Sequence, residues 1–131
     1  QRQRYLRYDA ATGEKEIDIE PLFPGREMSA PNDSGVFVSR RSVAGSPLYF
    51  VSTIDDRKRL ACLVSHDNGQ TWDEYAVSDR EFPTRVYSIG AARELTTDGS
   101  IVGTFTNVDD DAESYYEDHS GRVWFFRIPV D

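Results

Sequence analysis

Ser65-His66-Asp67-Asn68-Gly69-Gln70-Thr71-Trp72 is the stretch whose reading decides the fold. It sets a hydroxyl, a carboxylate two residues on, a glycine two further, and then Thr and Trp. That order builds a tight hairpin. Asp67 accepts hydrogen bonds from backbone N–H groups within the turn, and Gly69 takes a left-handed position at no steric cost. Thr71 opens the next strand, and Trp72 folds over the turn to cover the sheet end. His66 falls at a variable turn position facing solvent. The flanks agree, with Leu60-Ala61-Cys62-Leu63-Val64-Ser65 reading as a strand on one side and Trp72–Val77 on the other.

Working outward, short alternating segments recur in both directions. Tyr5–Tyr8 ends at the turn signal Asp9-Ala10-Ala11-Thr12-Gly13 and is followed by Ile17–Ile19. An irregular stretch from Glu20 to Gly35 holds Pro21, Pro24, Gly25, Pro31 and Gly35. Strands are then expected at 36–40, 48–52, 60–65 and 72–77, about twelve residues apart, and again over 88–95, 100–106 and 122–128. No segment longer than about eight residues keeps an apolar stripe of helical period. The fold class is therefore all-β, built from antiparallel four-stranded units. The chain divides into the last two strands of one unit (1–20), a connecting loop (21–35), a complete unit (36–77, with the turn at 65–72), a second loop (78–87) and three strands of a further unit (88–131). A repeat of roughly 45–55 residues is in the range of β-propeller blades.

Composition narrows the partners. The chain has 131 residues with 15 Lys+Arg against 23 Asp+Glu, a net charge of −8. That balance argues against nucleic acid, which draws on a basic surplus. No apolar run approaches the ~20 residues of a membrane span. Cys62 is the only cysteine, which excludes an internal disulfide and a cysteine-based metal site. The sequence opens on Gln1 with nothing that reads as a signal peptide, and the expectation is a portion of a longer protein.

The 65–72 segment resembles the Asp box, Ser-x-Asp-x-Gly-x-Thr-Trp, of sialidases and related β-propellers, with Ser65, Asp67, Gly69, Thr71 and Trp72 filling its positions. The resemblance implies a partial propeller from a six- or seven-bladed parent, in which those five residues are a structural device between third and fourth strands. Asp9–Gly13 would be a degenerate counterpart in the preceding blade. The resemblance also implies that Arg57, with Arg59 second, heads a strand whose arginine clamps a substrate carboxylate. Tyr87-Ser88 is similar to the Tyr-Ser of the sialidase nucleophile motif, and Asp98-Gly99-Ser100-Ile101 to the hairpin that follows it. Two departures stand against a direct carry-over. Gly90 falls at the nucleophile position on the hairpin register, and Phe105-Thr106-Asn107 offers no carboxylate where a Glu is expected. The general acid and the other arginines would lie on blades outside this chain. The family favours a secreted or periplasmic location. Asp boxes also occur in cellulose-active hydrolases, sorting receptors and assembly factors, so the motif names a fold before it names a reaction.

A meander sorts the loops into two ends. The Asp-box turn shares one end with Ala44-Gly45-Ser46 and Thr97-Asp98-Gly99. The other end collects the long connections, where function usually sits: residues 20–35, 54–59, 78–87 and 107–121, carrying Arg26, Asp33, Asp55, Asp56, Arg57, Arg80, Arg85, Tyr87, Asp109, Tyr115, Tyr116 and His119. Arg57 and Arg85 suit a bidentate clamp on a sugar carboxylate, Tyr115 and Tyr116 suit stacking on sugar rings, and Tyr87 beside an arginine suits a nucleophile or proton donor. Asp109, Asp110 and Asp111 raise a calcium reading, although their spacing fits no EF-hand loop; no other cofactor is expected. His119 beside Asp118 is a possible proton-transfer group. The expected function is part of an enzyme hydrolysing terminal sialic acid or a related acidic sugar. The alternatives are a non-catalytic glycan- or protein-binding module and a fragment of a uronate-directed lyase. The expected partners are a carbohydrate ligand and the remaining blades, from the parent chain or by self-association, because apolar edge residues such as Val123–Phe126 make a poor permanent surface.

Overall fold

The computed structural model describes residues 5–19, 36–40, 45–82, 85–108 and 121–130. Among them there is no helix, so no helix is long and apolar enough to cross a membrane. The described residues form nine strands: β1 (Tyr5–Tyr8), β2 (Lys15–Ile19), β3 (Val36–Ser39), β4 (Leu48–Ile54), β5 (Arg59–Ser65), β6 (Asp73–Val77), β7 (Val86–Ala91), β8 (Ser100–Val108) and β9 (Gly121–Pro129). They pair as three antiparallel meanders, β1-β2, β3-β4-β5-β6 and β7-β8-β9.

The strands follow the residues. β4 and β5 lie in the middle of the four-stranded sheet and are buried on both faces, which explains why Leu48–Ile54 and Arg59–Ser65 read as nearly continuous apolar runs. One face, with Val36, Val38, Tyr49, Val51, Cys62 and Val64, packs against Val86, Ile89, Ile101, Phe105 and Phe126 of the three-stranded sheet. The other face gathers Phe50, Ile54, Ala61 and Leu63, with Phe37, Trp72 and Val77 against them. The two larger sheets are thus stacked layers sharing one core, each with its meander beginning on the same side. Ser39 of β3 bridges Glu94 in parallel; Ser39 N donates to Arg93 O at 3.2 Å and Leu95 N to Ser39 O at 3.3 Å.

That bridge accounts for the strand whose extent differs most from expectation; the other strands differ by at most one or two residues at an end. β7 runs over 86–91 rather than 88–95, because the chain leaves β8 after Ala91 and turns its next residues to the edge of β3. A bulge between Val86 and Ser88 lets the strand begin earlier.

Candidate functional site

The two ends of the sheets have different chemistry. At the first end, Asp67 organises the β5–β6 turn. Ser65 Oγ donates to Asp67 Oδ1 at 2.9 Å, Thr71 N donates to the same oxygen at 2.8 Å, and Thr71 Oγ1 donates to Oδ2 at 2.5 Å. Gly69 N returns to Ser65 Oγ at 2.7 Å. Asn68 and Gly69 take φ of 61° and 91°, the left-handed region that a side-chain amide tolerates and glycine favours. Trp72 lies against Phe37 and Phe50, ring centroids 5.9 and 6.1 Å away, and its Nε1 donates to Gly69 O at 3.1 Å. The donors around Asp67, Thr71 foremost, bring its carboxyl down to about 2.

The β7–β8 turn repeats part of this pattern. Thr96 Oγ1 donates to Asp98 Oδ1, Ser100 N donates to Thr96 Oγ1 at 3.0 Å, and Gly99 has φ of 77°. In the β1–β2 hairpin Asp9 Oδ1 accepts from Ala11 N and Thr12 N at 2.8 and 2.9 Å, a shorter reach than Asp67 makes. Arg7 Nη1 ties this hairpin to the larger turn through Asn68 O at 2.8 Å. Asp67 and Asp9 are occupied with their own turns, and Asp98 also pairs through Oδ2 with Arg127 Nη2 of β9 at 3.0 Å.

At the second end, the β4–β5 and β6–β7 connections lock together. Asp55, Asp56 and Arg57 all have positive φ (53°, 54° and 64°), a left-handed turn without glycine. Such a run costs on the order of 1–2 kcal/mol per residue and needs support from its surroundings. The support is visible: Lys58 N donates to Ile54 O at 3.2 Å, Phe82 N to Lys58 O at 2.7 Å and Val86 N to Arg57 O at 2.8 Å. The last bond brings the Arg57 backbone beside the Arg85–Tyr87 segment. The expectation that these residues share an end is met in the backbone; of the Tyr87 side chain nothing is described.

The arginines divide by role. Arg59 donates from Nη1 to Ser78 O and Asp79 O, both at 2.9 Å, and its Nε lies 3.3 Å from Asp55 Oδ2, so its guanidinium staples one loop to the other. Arg85, about half exposed, grips one oxygen of Asp56 with Nη2 at 2.7 Å and Nε at 3.1 Å. This bond, helped by the charges of Arg85, Lys58 and Arg57, holds the Asp56 carboxyl below the usual carboxylate range. Arg57 is half-buried and also engaged. The site is an exposed cationic rim with one carboxylate already seated in it.

A feature the sequence reading missed adjoins this rim. The Arg80 guanidinium lies 4.8 Å over Trp124 and 5.9 Å over Phe82, and Phe105 stacks on Trp124 with centroids 6.0 Å apart. Trp124 Nε1 donates to Asn107 Oδ1 at 2.8 Å, which satisfies the buried amide. Alternation in β9 signals that Trp124 faces inward; no local signal pairs it with Asn107 or Arg80. Tyr115, Tyr116, His119, Asp109, Asp110, Asp111, Arg26 and Asp33 lie outside the described residues, so the stacking and calcium readings gain no geometry. Among the described residues no cluster of three or more His, Cys, Asp or Glu could hold a metal ion.

No protein-family model, no curated protein and no solved structure matches the chain. The class of protein established is an all-β one, with stacked antiparallel meanders among the described residues.

Proposed function

We propose that this chain is part of a sialidase-like β-propeller that binds acidic carbohydrate at the end carrying Arg57 and Arg85 and, completed by further blades, hydrolyses a terminal sialic acid or related acidic sugar. The observation that carries the reading is the Asp56 carboxylate held by Arg85 with Arg57 nearby. A rim that seats one carboxylate through a planar guanidinium suits the carboxylate of an acidic sugar. The turn at 65–72, bonded in the way an Asp box requires, supports the propeller part of the proposal.

A second reading, a glycan-binding module without catalysis, is favoured by one specific feature. Where a carboxylate would be needed at the end of β8 stands Asn107, buried and bonded to Trp124. Two measurements separate the readings. NMR titration with N-acetylneuraminic acid and with glucuronic acid is expected to shift amides around Arg57 and Arg85, and Arg85→Ala should abolish the shifts. Turnover of a fluorogenic sialoside, lost in Tyr87→Phe, supports the enzyme; binding without turnover supports the module. Absence of shifts with both sugars at tens of millimolar overturns the proposal.

A further inference from the structure

The β5–β6 turn contains a pair of residues able to react with each other. Asn68 is the one asparagine of the chain that precedes a glycine. Glycine presents its backbone nitrogen with no side chain in the way, which leaves the amide of a preceding asparagine open to attack. Asn68 is exposed with φ of 61°, and Gly69 is buried with φ of 91°. The peptide unit between them is pinned at both ends. Its N–H donates to Ser65 Oγ at 2.7 Å, and its carbonyl, Asn68 O, accepts from Arg7 Nη1 at 2.8 Å. A peptide unit is planar and turns as one piece, so the Gly69 nitrogen cannot swing toward Asn68 Cγ without losing both bonds. The related pair Asp98-Gly99 is closed to the same chemistry by a different route. Its carboxylate is bonded by Thr96 and Arg127, and an ionised carboxylate is a poor acyl acceptor.

We propose that Asn68 is a self-modification site gated by Ser65 and Arg7, losing its side-chain amide only when the turn opens and frees the 68–69 peptide unit. In the opened turn hydroxide takes the Gly69 amide proton, and the nitrogen attacks Asn68 Cγ. The N–Cγ bond forms, the Cγ–Nδ2 bond breaks, and Nδ2 leaves as ammonia with a proton from water. One water then opens the cyclic imide at either carbonyl, with no change of oxidation state. Addition at Cγ leaves an aspartate, which keeps the backbone and adds a negative charge beside Asp67. Addition at the main-chain carbonyl leaves an isoaspartate, whose chain runs through Cβ and Cγ and is one carbon longer. The bond from Gly69 N to Ser65 Oγ and those from Thr71 to Asp67 share a single tight turn, so the longer chain cannot restore them together. The isoaspartate turn therefore stays open, and its accumulation is a chemical record of how often the turn has opened.

The test is the rate of Asn68 conversion at pH 8, read by mass spectrometry, in the full chain and in a synthetic peptide of residues 65–72. The peptide should convert at least about tenfold faster than the folded chain. Ser65→Ala and Arg7→Ala, each with the parent's tryptophan fluorescence, should convert at least about threefold faster than the parent, and Ser65→Thr at the parent's rate. Hydrogen exchange of the Gly69 amide in the parent should be slowed by a factor similar to that for conversion, a measurement that needs no variant to fold. The isoaspartate chain, separated by ion exchange, should have lost that protection. Any of four results overturns the proposal: a full chain converting as fast as the peptide, both folded alanine variants converting at the parent's rate, slow conversion beside a freely exchanging Gly69 amide, or an isoaspartate chain that still protects it.

Discussion

Replacing Gly103 by Ala tests how tightly the three-stranded sheet is packed. Gly103 sits in β8 opposite Ala91 on one side and Phe126 on the other. A Cβ built there lies 2.2 Å from Gly90 O and 2.6 and 2.8 Å from two atoms of the Phe126 ring. The ring has little room to move, being 8% exposed and packed in the shared core beside Phe105. Movement of the ring would in any case leave the clash with a main-chain oxygen of the neighbouring strand. Overpacking of well-filled cores costs typically 1–3 kcal/mol, and a main-chain clash places this substitution at about 3 kcal/mol or above. Against a domain stability of ~5–15 kcal/mol that is a large share. Urea unfolding followed by tryptophan fluorescence reads it directly, since Trp124 belongs to the same sheet. Gly103→Ala with Phe126→Leu should recover only part of the loss. Gly90→Ala is the internal control: its Cβ meets nothing within 4 Å, and the change should be neutral or stabilising by up to about 1 kcal/mol. A Gly103→Ala chain whose stability stays within about 0.5 kcal/mol of the parent would refute the packing argument.

Three further outcomes follow from the turn and the core. Ser65→Ala removes the acceptor of the buried Gly69 N–H and should cost about 1–3 kcal/mol by urea unfolding, while Ser65→Thr should keep most of the stability. Asp67, held at about 2 against an ordinary 3.8, contributes stability that is present above about pH 4 and lost as pH falls through about 2; unfolding midpoints taken between those limits should fall in the parent and stay flatter in Asp67→Asn. Cys62, fully buried with its thiol pushed up to about 12, should be inert to a disulfide reagent at pH 8 in the native chain and react stoichiometrically once unfolded; native reaction at the rate of a free thiol contradicts that burial.

What the residues disclose in advance is whatever is local in sequence. Ser65, Asp67 and Gly69 lie within one turn, so their bonds can be written down from side-chain reach alone, and β4 and β5 announce their double-sided burial by composition. The strand beginnings at 36, 48 and 100 are legible for the same reason. Less legible are effects that join segments far apart. Nothing near Ala91 says that the next residues abandon β8 for Ser39, because the bridge depends on how two sheets stack. The left-handed run at Asp55–Arg57 lacks the glycine that usually marks one; its supports come from Phe82 and Val86, more than twenty residues on. Arg59 reads as a ligand-facing cation by position in the strand, yet its direction is set by two carbonyls at Ser78 and Asp79.

The same distinction governs how the cationic rim would bind. An anion arriving at Arg85 must replace Asp56, so the affinity measured is a difference between two carboxylates competing for one guanidinium. The displaced Asp56 returns to water, which is cheap because both partners are about half or more exposed, and exposed pairs are worth about 0.2–1 kcal/mol. Asp56→Asn removes the competitor and one negative charge while keeping the side chain's size and its tolerance of a left-handed backbone. Acidic sugars should then bind more tightly by up to about fivefold, the equivalent of the upper end of that energy. A neutral sugar should show no gain, and Arg85→Ala should cancel the effect in the double variant. Equal or weaker binding of an acidic sugar by Asp56→Asn would mean that Asp56 shapes the rim for its ligand, and that the ligand reaches the rim without taking the place of this carboxylate.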